Sequence, residues 1–447
     1  MIEFVEQGIP ERFLPAAEAV ERFAQDKITA GSDRLVHASL GRMVKHGGLE
    51  VTYTNGDTQT YGDTSPELGA VLHNTPKVLG RLAVERDAAL AVGEGYIYGD
   101  LDFVDPDNPG AVPPVDKLVH IMAQNRTLRH ERLARFFDKF RANEPNDPAS
   151  HYDISNEFYK LFLDKTMTYS CAYFDEDPDN MSLEEAQARK RHLVLKKLQL
   201  EPGQRLLDIG SGWGELLFTA AEEYGVIGVG ITLSREQLEA SQQAARDRGL
   251  EGQVTFMQLD YRELAAQART WNESERFDRV ASVGMYEHIG RGNQKQYFAA
   301  VNNLLKTGGI TVLHTIAQQF DKRVNGLIDK QVFPGGNLPT GGIVLDAAAM
   351  EGWRDPVVES LRRHYGLTLY RWWENYENNI DAVKELFAAG EIKHRLLTTD
   401  QAFTRLWRIY MGGSAGSFMA DNLDLLQFEF TKGINNDKPL TRTKIYT

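Results

Sequence analysis

The feature that most constrains this chain is RLLDIGSGWG, residues 205 to 214. A short apolar run ends in Asp208 and passes straight into Gly210, Gly212 and Gly214. A helical stretch, LLFTAAEEYG, follows. Three closely spaced glycines let the backbone turn sharply and approach a ligand closely, so the unit predicts a strand, a tight turn and a helix. Four more apolar runs come after it: VIGVGITLS, VTFMQLD, FDRVASVGMYEHI and GGITVLHTI. A helical stretch, REQLEASQQAARDRG, separates the first two. Strands alternating with helices predict an α/β fold, a doubly wound, Rossmann-like sheet that is mostly parallel.

That pattern starts only near residue 150. With 447 residues the chain has room for a second domain. Residues 1–125 read as a smaller mixed α+β domain. EFVEQGIPERFLPAAEAVERFAQD has helical spacing, GLEVTYTNGDTQTYG alternates about Asn55-Gly56 as a hairpin does, and GEGYIYGDLDF reads as a turn or short strand. Within 115–142, seven Lys or Arg accompany three acids, and Leu118, Ile121, Met122, Leu133, Phe136, Phe137 and Phe140 recur at roughly helical intervals. Residues 126–148 are expected to form a basic helical linker, and 149–447 the catalytic domain. The basic stretch fits a helix lying on an acidic membrane surface, and equally an interdomain helix with its apolar stripe turned inward.

A formal net charge of −13 argues against nucleic acid as a partner, because phosphate neutralisation needs clustered cations. The single cysteine, Cys171, excludes an intrachain disulfide and suits a reducing compartment. No signal peptide, spanning helix or metal site is expected.

The glycine loop alone fits several nucleotide ligands. The third glycine comes too early for a dinucleotide fingerprint, and Asp208 at the strand end favours S-adenosylmethionine. The next strand carries no acid at its tip, so Thr232 and Gln237 are expected to serve the ribose, and Asp260 and Tyr261 the adenine. Read alone, Cys171 is a small buried hydrophobe and His314 a core histidine. Glu287 stands out, since a carboxylate following a buried strand must be paired or solvated.

The segments HYDISNEFYKLFLD, TYSCAYF, LDIGSGWG, GITLSREQ, SVGMYEHIG, LLKTGGITVLHTI, VFPGGNLP and HYGLTL, in this order, resemble the cyclopropane-fatty-acyl-phospholipid synthase family, which includes the mycolic acid cyclopropane synthases. GYIYGDLD resembles the N-terminal domain of the bacterial phospholipid enzymes. The resemblance implies a class I methyltransferase domain. It also implies transfer of a methylene group from S-adenosylmethionine to the cis double bond of unsaturated acyl chains in membrane phospholipids, through a carbocation deprotonated by bound bicarbonate. By motif, the bicarbonate site falls on Cys171, Glu287, His314, Ile316 and Tyr365. Tyr152 falls beside the reacting centre, and Tyr169 and Ser170 on the S-adenosylmethionine. His288 and His364 are left out. Residues 318–345 are expected to form a lid. Ser211 stands where the family commonly has cysteine.

The resemblance further implies a homodimer in the cytoplasm, peripherally attached to the inner face of the membrane. Alternatives are a fatty-acyl methyltransferase giving methyl- or methylene-branched lipids, and a small-molecule O- or N-methyltransferase.

Overall fold

The computed structural model describes residues 14–85, 87–125 and 155–446. The chain divides into two compact units, Met1–Arg126 and Thr127–Thr447. Tyr152 and the expected linker lie outside the described residues.

In the first unit, helix Leu14–Met43 precedes strands β1 (Gly48–Thr52), β2 (Thr58–Gly62), β3 (Leu68–Leu72) and β4 (Leu101–Val104). Their sheet has the order β2-β1-β3-β4. β1 and β2 pair antiparallel about Asn55-Gly56, and Gly56 takes the positive φ of 87° that this turn requires. His37 on the long helix meets the Tyr61 hydroxyl at 2.6 Å, tying helix to sheet. GEGYIYGDLDF is more than a turn or strand. Its first part completes helix Ala88–Ile97, and β4 begins at Leu101. In helix Val115–Gln124, Ile121 is buried while Met122 is exposed, so the apolar residues there do not share one environment.

The second unit carries a seven-stranded sheet, β10-β11-β9-β8-β5-β6-β7. β5 (Arg205–Ile209), β6 (Ile227–Thr232), β7 (Val254–Gln258), β8 (Phe277–Val283) and β9 (Leu305–Gln318) are the five runs read from the sequence. They pair in parallel. The sequence reading missed β10 (Trp353–Ser360) and β11 (Leu423–Lys432), which pair antiparallel on the β9 side. Pro356 interrupts β10 beside a register shift, as suits an edge strand. β11 buries Gln427 and Glu429 among its apolar residues, which blurs its pattern.

The chain runs from β5 outward through β6 to β7, then returns to β8 on the other side of β5. The strand ends diverge at that reversal, and the crevice beyond their C-termini is where such sheets bind ligands. Apolar residues fill both faces. Leu207, Ile209, Tyr286, Tyr297 and Phe428 belong to one cluster, and Leu206, Leu217, Phe218 and Phe256 to another. Three helices, Arg362–Asn378, Ile380–Ala388 and Asp400–Met419, are inserted between β10 and β11. Phe428 is fully buried, and its ring stacks on Phe430 at 5.9 Å. Phe428→Ala should therefore lower stability by about 3 to 5 kcal/mol in urea unfolding. A loss below about 1 kcal/mol would mean that β11 does not lie inside the sheet.

Candidate active site

β5 delivers the glycine loop to the crevice. Gly210 has φ 81°, and a Cβ there would come within 2.7 Å of the Met285 side chain, so this position must be glycine. Gly212 has φ 55°, and a Cβ would meet nothing within 4 Å, so this part of the turn faces open space. That space is a cavity of about 350 Å³. Tyr169, Ser170, Asp208, Gly210, Gly212, Gly214, Thr232, Gln237, Asp260 and Tyr261 all line it. The ten residues expected at the cofactor thus come together around one space, although 92 residues separate the first from the last (Tyr169 to Tyr261).

Their polar groups differ in what they have left to offer. Asp208 is buried, its Oδ1 has no partner, and burial raises its carboxyl to about 7 against the opposing pull of Lys190. The Thr232 hydroxyl donates to Gln237 Oε1 at 2.9 Å and accepts from the Ser234 N–H at 3.1 Å. With Oε1 so engaged, Gln237 presents its amide N–H groups as donors. Asp260 caps helix Tyr261–Gln267 and holds Arg262 through two bonds, at 2.9 and 2.7 Å. Burial works to raise the Asp260 carboxyl, but the bonds from Arg262 outweigh it and keep the group below its usual range. An adenine amino group would have to share those oxygens with Arg262.

Several cavity residues were not identified from the sequence. Lys190, on helix Leu183–Leu198, is buried and donates to the Ser170 hydroxyl at 2.8 Å. Burial lowers its ammonium to about 8. Arg191 on the same helix lines the cavity and donates to Thr166 at 3.1 Å. His288, which was set aside, also lines it. His364 does not; its Nδ1 accepts the Phe174 N–H at 3.1 Å and its ring stacks on Tyr173, so it anchors the loop.

That loop, residues 164–174, carries Cys171. Asp164 fixes its start by accepting the N–H groups of Thr166 and Thr168 at 3.1 and 2.8 Å. Cys171 is fully buried and its thiol lies 3.1 Å from the Ala172 carbonyl. Burial pushes the thiol well above its ordinary value, so the residue is a neutral thiol and not a nucleophile.

Glu287 lies two residues beyond Met285, on the turn after β8. Its Oε1 accepts the Ile316 N–H at 2.6 Å, and its buried Oε2 has no partner among the described residues. Burial raises the carboxyl to about 7, opposed mainly by that backbone bond. His314 and Ile316 are two apart on β9 and so share a face of the sheet. His314 is fully buried, its Nε2 has no partner, and burial holds it well below the usual histidine range. Burial raises the Tyr365 phenol well above its ordinary value, with Tyr410, Cys171 and Glu287 adding to the shift, and its ring meets Trp372 edge-on at 6.0 Å. The inserted helices close this side. Tyr169 bonds the Tyr410 hydroxyl at 2.8 Å, and its ring lies 5.1 Å from Trp372. Trp372 is fully buried in this aromatic cluster, whereas Trp373 donates to Glu377 at 3.1 Å.

The expected lid, 318–345, is hooked down by backbone bonds. The Asn337 N–H donates to the Glu287 carbonyl at 2.8 Å, and the Gln318 amide donates to the carbonyls of Lys322 and Leu338. Phe333 places its ring between His288, at 5.9 Å, and Tyr410, at 5.8 Å.

A seven-stranded sheet with this order, and a glycine cradle after β5, the first of its strands in the chain, defines the class I S-adenosylmethionine-dependent methyltransferase fold. A model of the mycolic acid cyclopropane synthetase family matches residues 140–428, and the chain belongs to that family. It is 37% identical over 371 residues to the cyclopropane-fatty-acyl-phospholipid synthase of Escherichia coli K12, covering 80% of this chain and 87% of the relative. It is 35% identical over 391 residues to a probable fatty acid methyltransferase of Pseudomonas putida, covering 86% and 92%. A solved mycolic acid cyclopropane synthase complexed with SAH and CTAB superimposes with TM-score 0.55 at 31% identity, covering 65% of this chain and 99% of that one.

The raised carboxyl of Glu287 makes stability depend on pH in a defined direction. The folded state binds this proton more tightly than the unfolded chain does. The contribution is complete below about pH 4.5 and is lost as pH rises to about 7. Relative to Glu287→Gln, wild-type stability should therefore fall across that window and run parallel above it. Parallel curves throughout would show that Glu287 ionises normally.

Proposed function

We propose that this protein transfers a methylene group from S-adenosylmethionine to the cis double bond of unsaturated acyl chains in phospholipids, giving cyclopropane fatty acids. The observation that carries this reading is the presence of two buried polar atoms without a partner among the described residues, Glu287 Oε2 and His314 Nε2, together with an aromatic cluster around Tyr169, which itself lines the glycine-loop cavity. Family membership and the similarity to the E. coli phospholipid enzyme support the same substrate class.

S-Adenosylmethionine would supply the methyl group as an electrophile. The glycine loop would hold its amino-acid portion by close backbone approach, with Asp208 accepting from the ammonium and Lys190 facing the carboxylate. Gln237 would donate to the ribose hydroxyls. An alkene is a weak nucleophile, so the residues of the loop and inserted helices serve chiefly to fix the two reactants in near-attack contact. Attack leaves a carbocation on the acyl chain. The faces of Tyr169, Tyr365 and Trp372 can stabilise that charge without reacting with it. The lid excludes water, which would trap the cation as an alcohol.

Closing the ring requires loss of one proton from the new methyl group. Bicarbonate, when bound, would supply the base. The fit rests on the donor set: His314 offers an unpartnered ring nitrogen, Glu287 an unpartnered carboxyl oxygen, and Tyr365 a phenol close to Glu287. With a carboxyl near neutrality, Glu287 can accept a proton at its Oε2 and release it onward. Cys171 supports the pocket as a neutral thiol, and Ile316 through its backbone N–H on Glu287.

Among the described residues no helix is long and apolar enough to cross a membrane. A bilayer substrate then calls for peripheral docking, and the basic residues between 115 and 142 supply the charge for it. Homodimer formation and attachment to the cytoplasmic face of the membrane belong to the same reading. Replacing Arg126, Arg129, Arg132 and Arg135 by Ala should weaken co-sedimentation with anionic vesicles at low salt. Unchanged binding would remove the stretch from the docking surface.

The decisive experiment incubates the protein with methyl-deuterated S-adenosylmethionine and vesicles of cis-monounsaturated phospholipid. The released acyl chains should gain CD2, show upfield ring protons and lose the vinyl signal. A CD2 gain without ring signals would instead assign methylene branching. Retention of all three deuteriums would mean transfer without proton loss, and would overturn the role given to Glu287 and His314.

A further inference from the structure

We propose that Lys197 and Gln427 are positioning residues that fix the tautomer of His314, so that its Nε2–H is presented to the pocket shared with Glu287. The inference rests on the site reading above, but its central observable is independent of turnover.

The arrangement begins with strand register. Glu359 on β10 lies opposite Gln427 on β11, and Gln427 lies opposite His314 on β9. The three side chains therefore form one row across the sheet, from an edge strand to the site. Lys197, from helix Leu183–Leu198, is almost wholly buried over this row and bonds both Glu359 and the Gln427 amide. On the outer side, the Tyr446 hydroxyl donates to Glu359 at 3.1 Å.

Hydrogen-bond polarity then propagates in one direction. An ammonium group only donates. The Gln427 atom facing Lys197 must therefore be the amide oxygen, and the atom facing His314 Nδ1, 2.9 Å away, must be the amide nitrogen. That nitrogen donates, so Nδ1 accepts and carries no proton. Burial, with Lys190 and Lys197 adding to it, keeps the ring neutral. A neutral imidazole with a bare Nδ1 carries its proton on Nε2, the buried atom that has no partner among the described residues. The row thus converts a fixed cation on one side of the sheet into a fixed donor on the other. An anion with one oxygen at His314 and a hydroxyl at Glu287 Oε2 fits that pair of vacancies. A randomised tautomer would offer the same anion a lone pair half the time.

The test is nitrogen-15 NMR of full-length protein labelled at histidine. The chain has 11 histidines, and the His314→Asn variant assigns the signal by its disappearance. In the wild type, His314 should show a protonated Nε2 and a bare Nδ1 from pH 6 to 8. In Gln427→Glu, the carboxylate accepts on both sides, so Nδ1 should become protonated. In the same variant, kcat should fall by about 10- to 100-fold with the KM for S-adenosylmethionine unchanged, and the bicarbonate concentration for half-maximal rate should rise. Lys197→Met removes the cation without adding charge, and should give mixed tautomers and a smaller loss. A wild-type spectrum with a protonated Nδ1, or a Gln427→Glu spectrum identical to wild type, would overturn the proposal. A correct wild-type tautomer in a protein that forms no cyclopropane would uphold it and overturn the functional reading instead.

Discussion

Glu287 is the joint on which the site depends. Its carboxylate takes the N–H of Ile316 on β9, and its own carbonyl takes the N–H of Asn337 in the lid. One residue therefore fixes the turn after β8, the end of β9 and the segment covering both. The same bond uses one carboxyl oxygen and leaves the other buried without a partner, which costs about 1 to 3 kcal/mol or more in a folded protein. Such a penalty is sustained where a ligand removes it. His314 Nε2 and Asp208 Oδ1 are in the same condition among the described residues.

The two halves of the site use different physics. Around the glycine loop, close backbone approach is joined by paired side chains and by the buried Asp208 carboxyl. Thr232 and Gln237 bond each other, and Asp260 is held by Arg262. Around Glu287 it is burial that sets the chemistry. Desolvation brings the Glu287 carboxyl to about 7, keeps His314 neutral and keeps Cys171 protonated. A thiolate or a second carboxylate at that centre would compete with an alkene for an electrophile. The groups present offer no strong nucleophile, as suits the anion site proposed above.

Much of this was legible in the chain. The glycine loop, the five parallel strands and the ten residues around the cavity follow from local pattern and motif. The misses share a cause. Lys190 and Lys197 sit in ARKRHLVLKKL, which has the composition of a solvated helix face, yet both are buried. Lys197 finds Glu359 and Gln427 more than 160 residues further on, and no local signal records partners so distant. β11 was missed because Gln427 and Glu429 occupy core positions, and β10 because Pro356 breaks its alternation. His288 was set aside for sitting beside a motif residue, whereas the short helical turn Tyr286–His288 brings it to the cavity wall. Asp260, expected at the adenine, also holds Arg262, two residues away in sequence, a pairing the sequence reading did not include.

The segment 318–345 is held partly through main-chain atoms, among them the Asn337 N–H on the Glu287 carbonyl, and partly through the ion pair of Asp321 with Arg291 at 2.7 Å. Residues such as Phe333 can change size or polarity while the fastening stays as it is. In the reading proposed above, substitution at Phe333 would reshape the cover over the site while the main-chain bond from Asn337 to Glu287 stays in place.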